Sequence, residues 1–192
     1  MKRHPMPKKI LFKLIYGLLR PLPPAQPINR LRGLIVGMFL KKSGRNLRIY
    51  NNVTISNPQN ISIGDNVVIN PGCFLATSSA EPAEIIIGND CLIAPRCFLE
   101  TLNHNFDDPD TPIREQGSRA APIHIGDDCW LAYGVVVLPG VTIGKGCVIG
   151  AYGLVNRDTP PFSINVGNPV RQVGTRGKKR TRNPAREENG SE

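Results

Sequence analysis

Aliphatic residues recur at every sixth position over much of this chain. The positions in register are Ile63, Ile69, Leu75, Ile87, Ile93, Leu99, Ile125, Leu131, Val137, Ile143, Ile149 and Val155. An amphipathic helix needs apolar spacings of three to four residues, and an ordinary amphipathic strand needs strict alternation, so neither explains a period of six. Self-similarity at a fixed period instead indicates a repeat architecture.

A second, smaller residue follows most of these aliphatic residues four positions later. The small residues are Val67, Cys73, Cys91, Cys97, Cys129, Val135, Val141, Cys147 and Gly153. The pattern predicts a unit of one short strand and one turn, in which both residues point inward and Gly, Asn or Asp accommodates positive φ at the corner. Three units close a triangular coil, and stacked coils bury one another's edges. We therefore expect an all-β fold, a parallel β-helix built as a hexapeptide-repeat solenoid.

The register is interrupted twice, between Leu75 and Ile87 and between Leu99 and Ile125. A loop that leaves a solenoid and lets the register resume carries no core residues, so it is free to carry function. The second interruption is the longer one, and it holds one of the few histidines.

Charge divides the 192 residues, whose formal net charge is +9, into three regions. Residues 1–48 hold twelve basic residues and no acidic one, residues 49–170 carry a net charge of −7, and residues 171–192 carry +4. We expect a basic, helical N-terminal arm over 1–48, a β-helix domain over 49–173, and a basic, disordered tail over 174–192. Because the basic surplus belongs to the two ends, it says little about what the central domain binds.

Two interpretations of the arm remain open. It forms short helices that pack on the domain or on a neighbouring subunit, or it forms an amphipathic helix on an anionic cytoplasmic membrane face. In the second case Lys8, Lys9, Lys13 and Arg20 reach the headgroups. Its apolar runs are shorter than a membrane span needs, and 22–27 has no signal cleavage pattern. Basic tails without interleaved aromatics do not favour nucleic-acid binding.

All five cysteines fall at the small inward position of the repeat, which makes them small buried hydrophobic residues. Their odd number argues against a disulfide framework and for a reducing, cytoplasmic environment. No Cys-x₂-Cys pair is present, so no metal site is expected.

The three histidines are at positions 4, 104 and 124. His4 lies in the arm, and His124 faces outward between two core isoleucines, where a surface role is favoured. His104 lies in the longer loop beside Asn103, Phe106 and several carboxylates. From the residues alone, this histidine is either catalytic or merely solvated.

Several segments together carry a more specific pattern. They are 85–95, the loop 101–109 with its histidine, 122–130 with the single tryptophan, 138–144, 148–151, and 166–171 with its Gly-Asn-Pro. On these residues the chain resembles the left-handed β-helix hexapeptide acyltransferases, and within them the sugar O-acetyltransferases similar to the maltose and galactoside acetyltransferases. The resemblance covers about residues 49–173 and implies a left-handed coil with an extended catalytic loop.

The resemblance implies acetyl transfer from acetyl-CoA to a hydroxyl of a sugar, or of an exopolysaccharide or lipopolysaccharide precursor. His104 would be the general base, a role that suits neutral imidazole at pH 7. The backbone N–H of Tyr133 would stabilise the tetrahedral oxyanion. A homotrimer is also implied, in which each active site lies between adjacent subunits. We expect a cytoplasmic protein whose arm can place it at the inner face of the cell membrane.

The resemblance also implies the remaining site residues, position by position. The cofactor contacts would be Trp130, Tyr133, Ala151, Asn156, Arg157 and Arg171, and the acceptor contacts would be Glu81, Asn103 and Phe106. The tyrosines at 133 and 152 are bulkier than the small residues usual at these turns. The alternatives are a non-catalytic β-helix scaffold and a γ-type carbonic anhydrase, which needs three zinc-binding histidines where this domain has two.

Overall fold

The computed structural model describes residues 8–78 and 83–177. Helices α1 (Lys8–Leu19) and α2 (Gln26–Gly37) come first and are followed by five coils of three short strands each. The first three coils hold β1 (Lys42–Ser43), β2 (Arg48–Ile49), β3 (Thr54–Ser56); β4 (Ile61–Ile63), β5 (Val68–Ile69), β6 (Phe74–Ala76); β7 (Ile85–Ile87), β8 (Leu92–Ile93) and β9 (Phe98–Glu100). The strands that follow are β10 (Leu102–His104) and β11 (Ser118–Ala120) in the long loop; β12 (Ile123–Ile125), β13 (Trp130–Leu131), β14 (Val136–Val137); β15 (Thr142–Ile143), β16 (Val148–Ile149), β17 (Leu154–Val155); and finally β18 (Ser163–Val166) and β19 (Arg171–Thr175). The predicted β-helix with a helical arm is confirmed.

Equivalent strands of successive coils pair in parallel and make the three faces of the solenoid. Face 1 has the order β1-β4-β7-β12-β15, and face 3 has β3-β6-β9-β14-β17. Face 2 has β2-β5-β8-β13-β16-β18, and β19 adds to β18 in the antiparallel direction. The ladders are in register, so that on face 1 Ile63 lies opposite Ile87 and Ile87 opposite Ile125. Each inward aliphatic residue therefore stacks on its equivalents in the coils above and below.

The inward positions of the repeat form the core. All twelve aliphatic residues of the six-residue register are at most 3% exposed. Burying one such side chain contributes about 1.5–3 kcal/mol, so the stacked columns supply the main stabilisation of the fold.

The corners explain why Asn, Asp and Gly recur in the repeat. At the corner between faces 1 and 2, the residue before the inward small residue has φ between 56° and 59° at Asn46, Asn66, Asp90 and Asp128. Glycine and the short polar side chains adopt this left-handed conformation at the lowest steric cost.

The chain leaves the coil after β9 and returns at β12. Strands β10 and β11 form an antiparallel hairpin in this excursion, with a 3₁₀ helix at Ile113–Glu115 between them. The shorter loop after β6 is described only at its ends, and Glu81 lies outside the described residues.

Both ends of the coil extend past the limits expected from the sequence. The ladder begins at β1, before residue 49, because Leu47 and Ile49 already occupy buried inward positions. At the other end β19 reaches Thr175, and the Arg176 guanidinium contacts the Asp128 carboxylate at 2.8 Å. Residues 178–192 of the expected tail lie outside the described residues.

The two helices pack on the first coil. A Cβ at Gly33 of α2 would lie 1.9 Å from the carbonyl oxygen of Leu47, so the helix backbone rests directly on the coil. From α1, Tyr16 donates a hydrogen bond to the carbonyl oxygen of Val53 at 2.9 Å, and burial raises the pKa of this tyrosine. Across 8–78 and 83–177, we find no helix with the length and apolar character of a membrane span.

Arg32 joins the two helices although its side chain is fully buried. Its guanidinium donates to the carbonyl oxygens of Leu19 and Leu22 and to Oδ1 of Asn29. Leu19 ends α1, where carbonyl groups lack helical partners and the helix dipole favours a cation. Desolvation lowers the pKa of Arg32, and these oxygen acceptors satisfy the N–H groups of the buried guanidinium.

We predict that Arg32→Ala lowers the free energy of unfolding by about 2–4 kcal/mol, because the buried Asn29 side chain and two carbonyl oxygens at the end of α1 lose their donor and a buried side chain is removed. Urea denaturation followed by circular dichroism measures this change. The matched control is Arg30→Ala, an exposed arginine of the same helix, which should change stability by less than about 0.5 kcal/mol. Equal losses in the two variants would contradict a capping role for Arg32.

Candidate active site

The turn between faces 2 and 3 has proline at one position in the second and third coils and other residues there in the first, fourth and fifth coils. The residue two positions after the inward aliphatic one is Pro71 in the second coil, Pro95 in the third, Tyr133 in the fourth and Ala151 in the fifth. Proline has no backbone N–H, whereas Tyr133 and Ala151 each have one. Within the described residues, neither N–H donates a hydrogen bond.

The amides on either side of Tyr133 are both satisfied. Ala132 donates to the carbonyl oxygen of Ile149 and Gly134 to that of Pro95, each at 2.9 Å. The two free donors therefore occupy the same corner in adjacent coils, separated by one strand spacing of about 4.8 Å. Backbone donors held this rigidly can stabilise negative charge that develops on a bound oxygen.

Three side chains meet over this corner. The Tyr152 ring lies 5.4 Å from the Tyr133 ring at an interplanar angle of 69°, and Arg96 Cζ lies 5.8 Å from the Tyr133 ring centroid. Arg96 and Tyr152 have φ of 61° and 57°, a left-handed conformation that is strained for these residue types and is often found at functional sites. Tyr152 packs over Gly134, where a Cβ would lie 2.9 Å from the ring.

Trp130 lies on face 2, close to the same corner. It pairs with Leu92 on one side and Val148 on the other, and it is 49% exposed, as Leu92 is 50% exposed. A large aromatic side chain that is left half in solvent beside two free amides can pack against a ligand or a second subunit.

His104 is exposed at the end of β10, opposite Ser118. Its backbone N–H donates to Oδ1 of Asn103 at 3.0 Å. Phe106 is 56% exposed, and the Arg119 guanidinium carbon lies 5.8 Å from its ring centroid. The three predicted residues of this loop are thus close in sequence and all accessible to a ligand.

The rest of the loop is held by its own polar side chains. Gln116 Nε2 donates to the carbonyl oxygens of Asp108 and Thr111, at 2.7 Å each. The Thr111 hydroxyl and the Asp110 N–H lower the pKa of Asp108. These bonds fix the loop as a self-contained unit that projects from the coil.

The loop histidine and the free amides lie at different corners. The loop leaves the coil at the corner between faces 3 and 1, whereas Tyr133 and Ala151 lie between faces 2 and 3. In the described part of the chain, the side chains of residues 102–119 hydrogen-bond only within the loop. Within the described residues, no hydrogen bond therefore links the His104 loop to the corner that holds the Tyr133 and Ala151 amides.

Two of the predicted phosphate contacts do come together. Arg157 and Arg171 line one pocket of about 260 Å³ with Asn165 at its wall, and both arginines are exposed. Asn156 precedes Arg157 and is also exposed. Two guanidinium groups at one pocket suit a phosphate group, since each can donate two parallel hydrogen bonds.

The cysteines provide no nucleophile. All five are free and buried, and they stack in two columns, Cys73 with Cys97 and Cys91 with Cys129 and Cys147. The neighbouring thiol and burial together raise the pKa of Cys97 and of Cys129. Over residues 8–78 and 83–177 no cluster of His, Cys, Asp or Glu could hold a metal ion.

Sequence reasoning did not single out Arg96 or the contrast between proline and N–H at the corner. Both features could have been found from the sequence. Arg96 and Tyr152 replace the usual Asn or Gly at a corner position, and aligning the turns by the period places Pro71 and Pro95 over Tyr133 and Ala151.

Comparison with known proteins identifies the fold and its relatives. The model of the bacterial transferase hexapeptide family (six repeats) matches residues 122–157. A maltose O-acetyltransferase structure from Clostridium difficile 630 is 27% identical with a TM-score of 0.74, covering 87% of this chain and 85% of that one. A galactoside acetyltransferase in complex with coenzyme A is 28% identical with a TM-score of 0.74, covering 88% and 80%. The resemblance to hexapeptide-repeat acyltransferases is confirmed.

Sequence relatives agree with this result. A Staphylococcus aureus (strain COL) protein, provisionally named an acetyltransferase, is 44% identical over 129 residues, which cover 64% of this chain. The match spans 61% of the length of that relative. A Vibrio cholerae hexapeptide-repeat acetyltransferase complexed with acetyl-CoA is 26% identical with a TM-score of 0.64, covering 89% of this chain and 90% of that one.

We predict that none of the five thiols reacts with a colourimetric thiol reagent in the folded protein, because each is buried and the reagent cannot reach it. Titration in guanidinium should then reveal five thiols per chain. Rapid reaction of one or more thiols without denaturant would contradict the assignment of the cysteines as core residues.

Proposed function

We propose that this chain, with its hexapeptide-repeat acetyltransferase fold, transfers an acetyl group from acetyl-CoA to a sugar hydroxyl. The observation that carries the proposal is the pair of unpartnered backbone donors at Tyr133 and Ala151. They lie where the resemblance places the contacts to the thioester and to the pantetheine arm, and the second and third coils have proline there.

In the proposed reaction, the neutral imidazole of His104 removes the proton of the acceptor hydroxyl as its oxygen attacks the thioester carbonyl. A positioned base of this kind contributes about 10²–10⁴ in rate. The Tyr133 N–H donates to the oxyanion of the tetrahedral intermediate, a contribution of about 10²–10³. The C–S bond then breaks, and the CoA thiolate accepts the proton from His104.

The cofactor would lie along the late coils. The Ala151 N–H would donate to the pantetheine arm, and Trp130 would pack against it. Asn156, Arg157 and Arg171 would contact the phosphate end, a placement supported by the pocket that Arg157 and Arg171 share. These arginines would supply positive charge in a domain that carries a net −7 over residues 49–170.

The acceptor would bind at the projecting loop. Asn103 can donate and accept hydrogen bonds with sugar hydroxyls, and the exposed Phe106 ring offers a flat apolar surface for a pyranose. Glu81 of the shorter loop is a further proposed contact. A glycan precursor, such as one for exopolysaccharide or lipopolysaccharide, is the acceptor class we propose.

A homotrimer would complete the site. Because His104 and the free amides lie at different corners of one coil, a neighbouring subunit would bring its loop to the corner between faces 2 and 3. The apolar outer surfaces of faces 2 and 3 support such an interface, with Phe74 stacked on Phe98 at 4.9 Å. The five free cysteines fit a reducing compartment, so we place this reaction in the cytoplasm.

We predict that His104→Ala lowers kcat by about 10²–10⁴, since the general base is lost. Release of CoA, measured with a thiol reagent and a panel of sugars, gives the rate. The matched control is His124→Ala, an exposed histidine on the outside of face 1, which should retain activity. Equal CoA release by wild type and His104→Ala, in the presence of an acceptor that the wild type acetylates, would contradict the role of His104.

We predict that Tyr133→Pro lowers kcat by about 10²–10³, because it removes the proposed oxyanion donor, together with the ring, from a turn that already accepts proline in two coils. Tyr133→Ala keeps the N–H and should stay within a few-fold of wild type. If the alanine variant loses as much activity as the proline variant, the ring rather than the amide is responsible.

The same variants test the shared site. Co-expressing His104→Ala with Tyr133→Pro should restore about a quarter of wild-type activity, because a mixed trimer contains sites with an intact histidine and an intact amide from different subunits. If both groups belong to one subunit, no mixed assembly regains activity.

A further inference from the structure

The two N-terminal helices carry an unusual share of the exposed apolar surface. Eight of the seventeen exposed large hydrophobic residues lie between residues 10 and 38: Ile10, Leu11, Leu14, Leu18, Leu22, Leu31, Leu34 and Met38. A soluble surface tolerates single exposed apolar residues, but a concentration of them marks an interaction site.

In α1 the exposed apolar residues form a row opposite the buried face. Phe12 and Tyr16 face the coil, whereas Ile10, Leu14 and Leu18 follow one another at intervals of four and are 49%, 56% and 77% exposed. Residues at this spacing lie on one side of a helix. The outward side of α1 is therefore apolar rather than polar.

A basic row borders this apolar row. Lys9, Lys13 and Arg20 are exposed and lie at intervals of four and seven, between the buried side and the apolar side of α1. None of the first 48 residues is acidic, so no carboxylate within the arm neutralises them. An apolar side bordered by Lys and Arg is the arrangement of helices that lie in the interface of an anionic bilayer.

Helix α2 repeats the arrangement. Its buried side includes Arg32 and Val36, and its opposite side carries Leu31, Leu34 and Met38, which are 43%, 66% and 71% exposed. Arg30 is exposed on the same helix. The coil covers one side of each helix and leaves these apolar side chains exposed within the described chain. Those of α2 line a pocket of about 910 Å³ beside Arg45 and Arg48 of the first coil.

We propose that the outer side of α1 and α2 binds the surface of an anionic lipid bilayer, holding the β-helix at the membrane without spanning it. Ile10, Leu14 and Leu18 enter the boundary between headgroups and acyl chains, and Lys9, Lys13 and Arg20 contact lipid phosphates. Charge complementarity favours lipid over a second copy of this chain. If the same helix surfaces of two copies met, their basic residues would lie close together and repel one another.

The test is co-sedimentation of the full chain with vesicles of phosphatidylcholine alone or with one third phosphatidylglycerol. Binding should be at least tenfold stronger with phosphatidylglycerol and should weaken in 0.5 M salt, about tenfold or more. The double variant Lys9→Gln with Lys13→Gln should weaken binding to anionic vesicles about 25-fold at low salt, because each lysine near the surface contributes roughly fivefold to the affinity. The matched control is Lys42→Gln with Lys145→Gln, which removes two exposed charges outside the helices and should bind like wild type.

The apolar row is tested by Leu14→Gln with Leu18→Gln, which should reduce binding to anionic vesicles at least tenfold. Ile113→Gln is the control, since Ile113 is as exposed as Leu14 but lies in the long loop. Unchanged melting temperatures establish that each variant is folded.

Equal binding to both vesicle types, no binding to either, or equal loss in a control variant would overturn the proposal. The proposal would also be overturned if light scattering showed that the Leu14→Gln with Leu18→Gln variant forms a smaller assembly than wild type, because the surface would then be a contact between copies of the chain.

Discussion

The fold depends on one constraint, which is that every coil must stack in register on the next at a single strand spacing. Ile63, Ile87, Ile125 and Ile143 form one such column on face 1, and each is buried by its equivalents. The spacing also fixes the corners, because the turn must repeat the same backbone path in every coil. Only residues that do not face inward are free to vary, and the proposed chemistry lies on those.

The six-residue period was enough to predict the solenoid, since it determines both which residues are buried and where the chain turns. The hairpin of β10 and β11 was not predictable in the same way. Residues 102–121 contain no buried side chain, so their path depends on polar contacts such as those of Gln116. The start of the ladder at Lys42 was missed because Leu47 and Ile49 precede the run in which the period is regular.

The candidate site could be predicted only in part, for a related reason. The resemblance assigned Tyr133, Ala151 and Trp130 to the cofactor side, and the structure places Trp130 on β13 and the other two at the turns that follow β13 and β16. The resemblance gave no information on hydrogen bonding, so the free amides became visible only in the structure. The position of His104 relative to those amides depends on the path of the loop, which a repeat pattern does not describe.

Stacked parallel coils leave a row of unpaired backbone groups at each end, and such edges favour chain-to-chain polymerisation. Here α2 rests on the first coil at Gly33, and β19 turns back antiparallel on β18 at the other end. These two ends make the solenoid finite. The number of coils is thus set by its terminators rather than by its repeat, and a lineage could lengthen or shorten the catalytic surface by whole coils while the ends stayed the same.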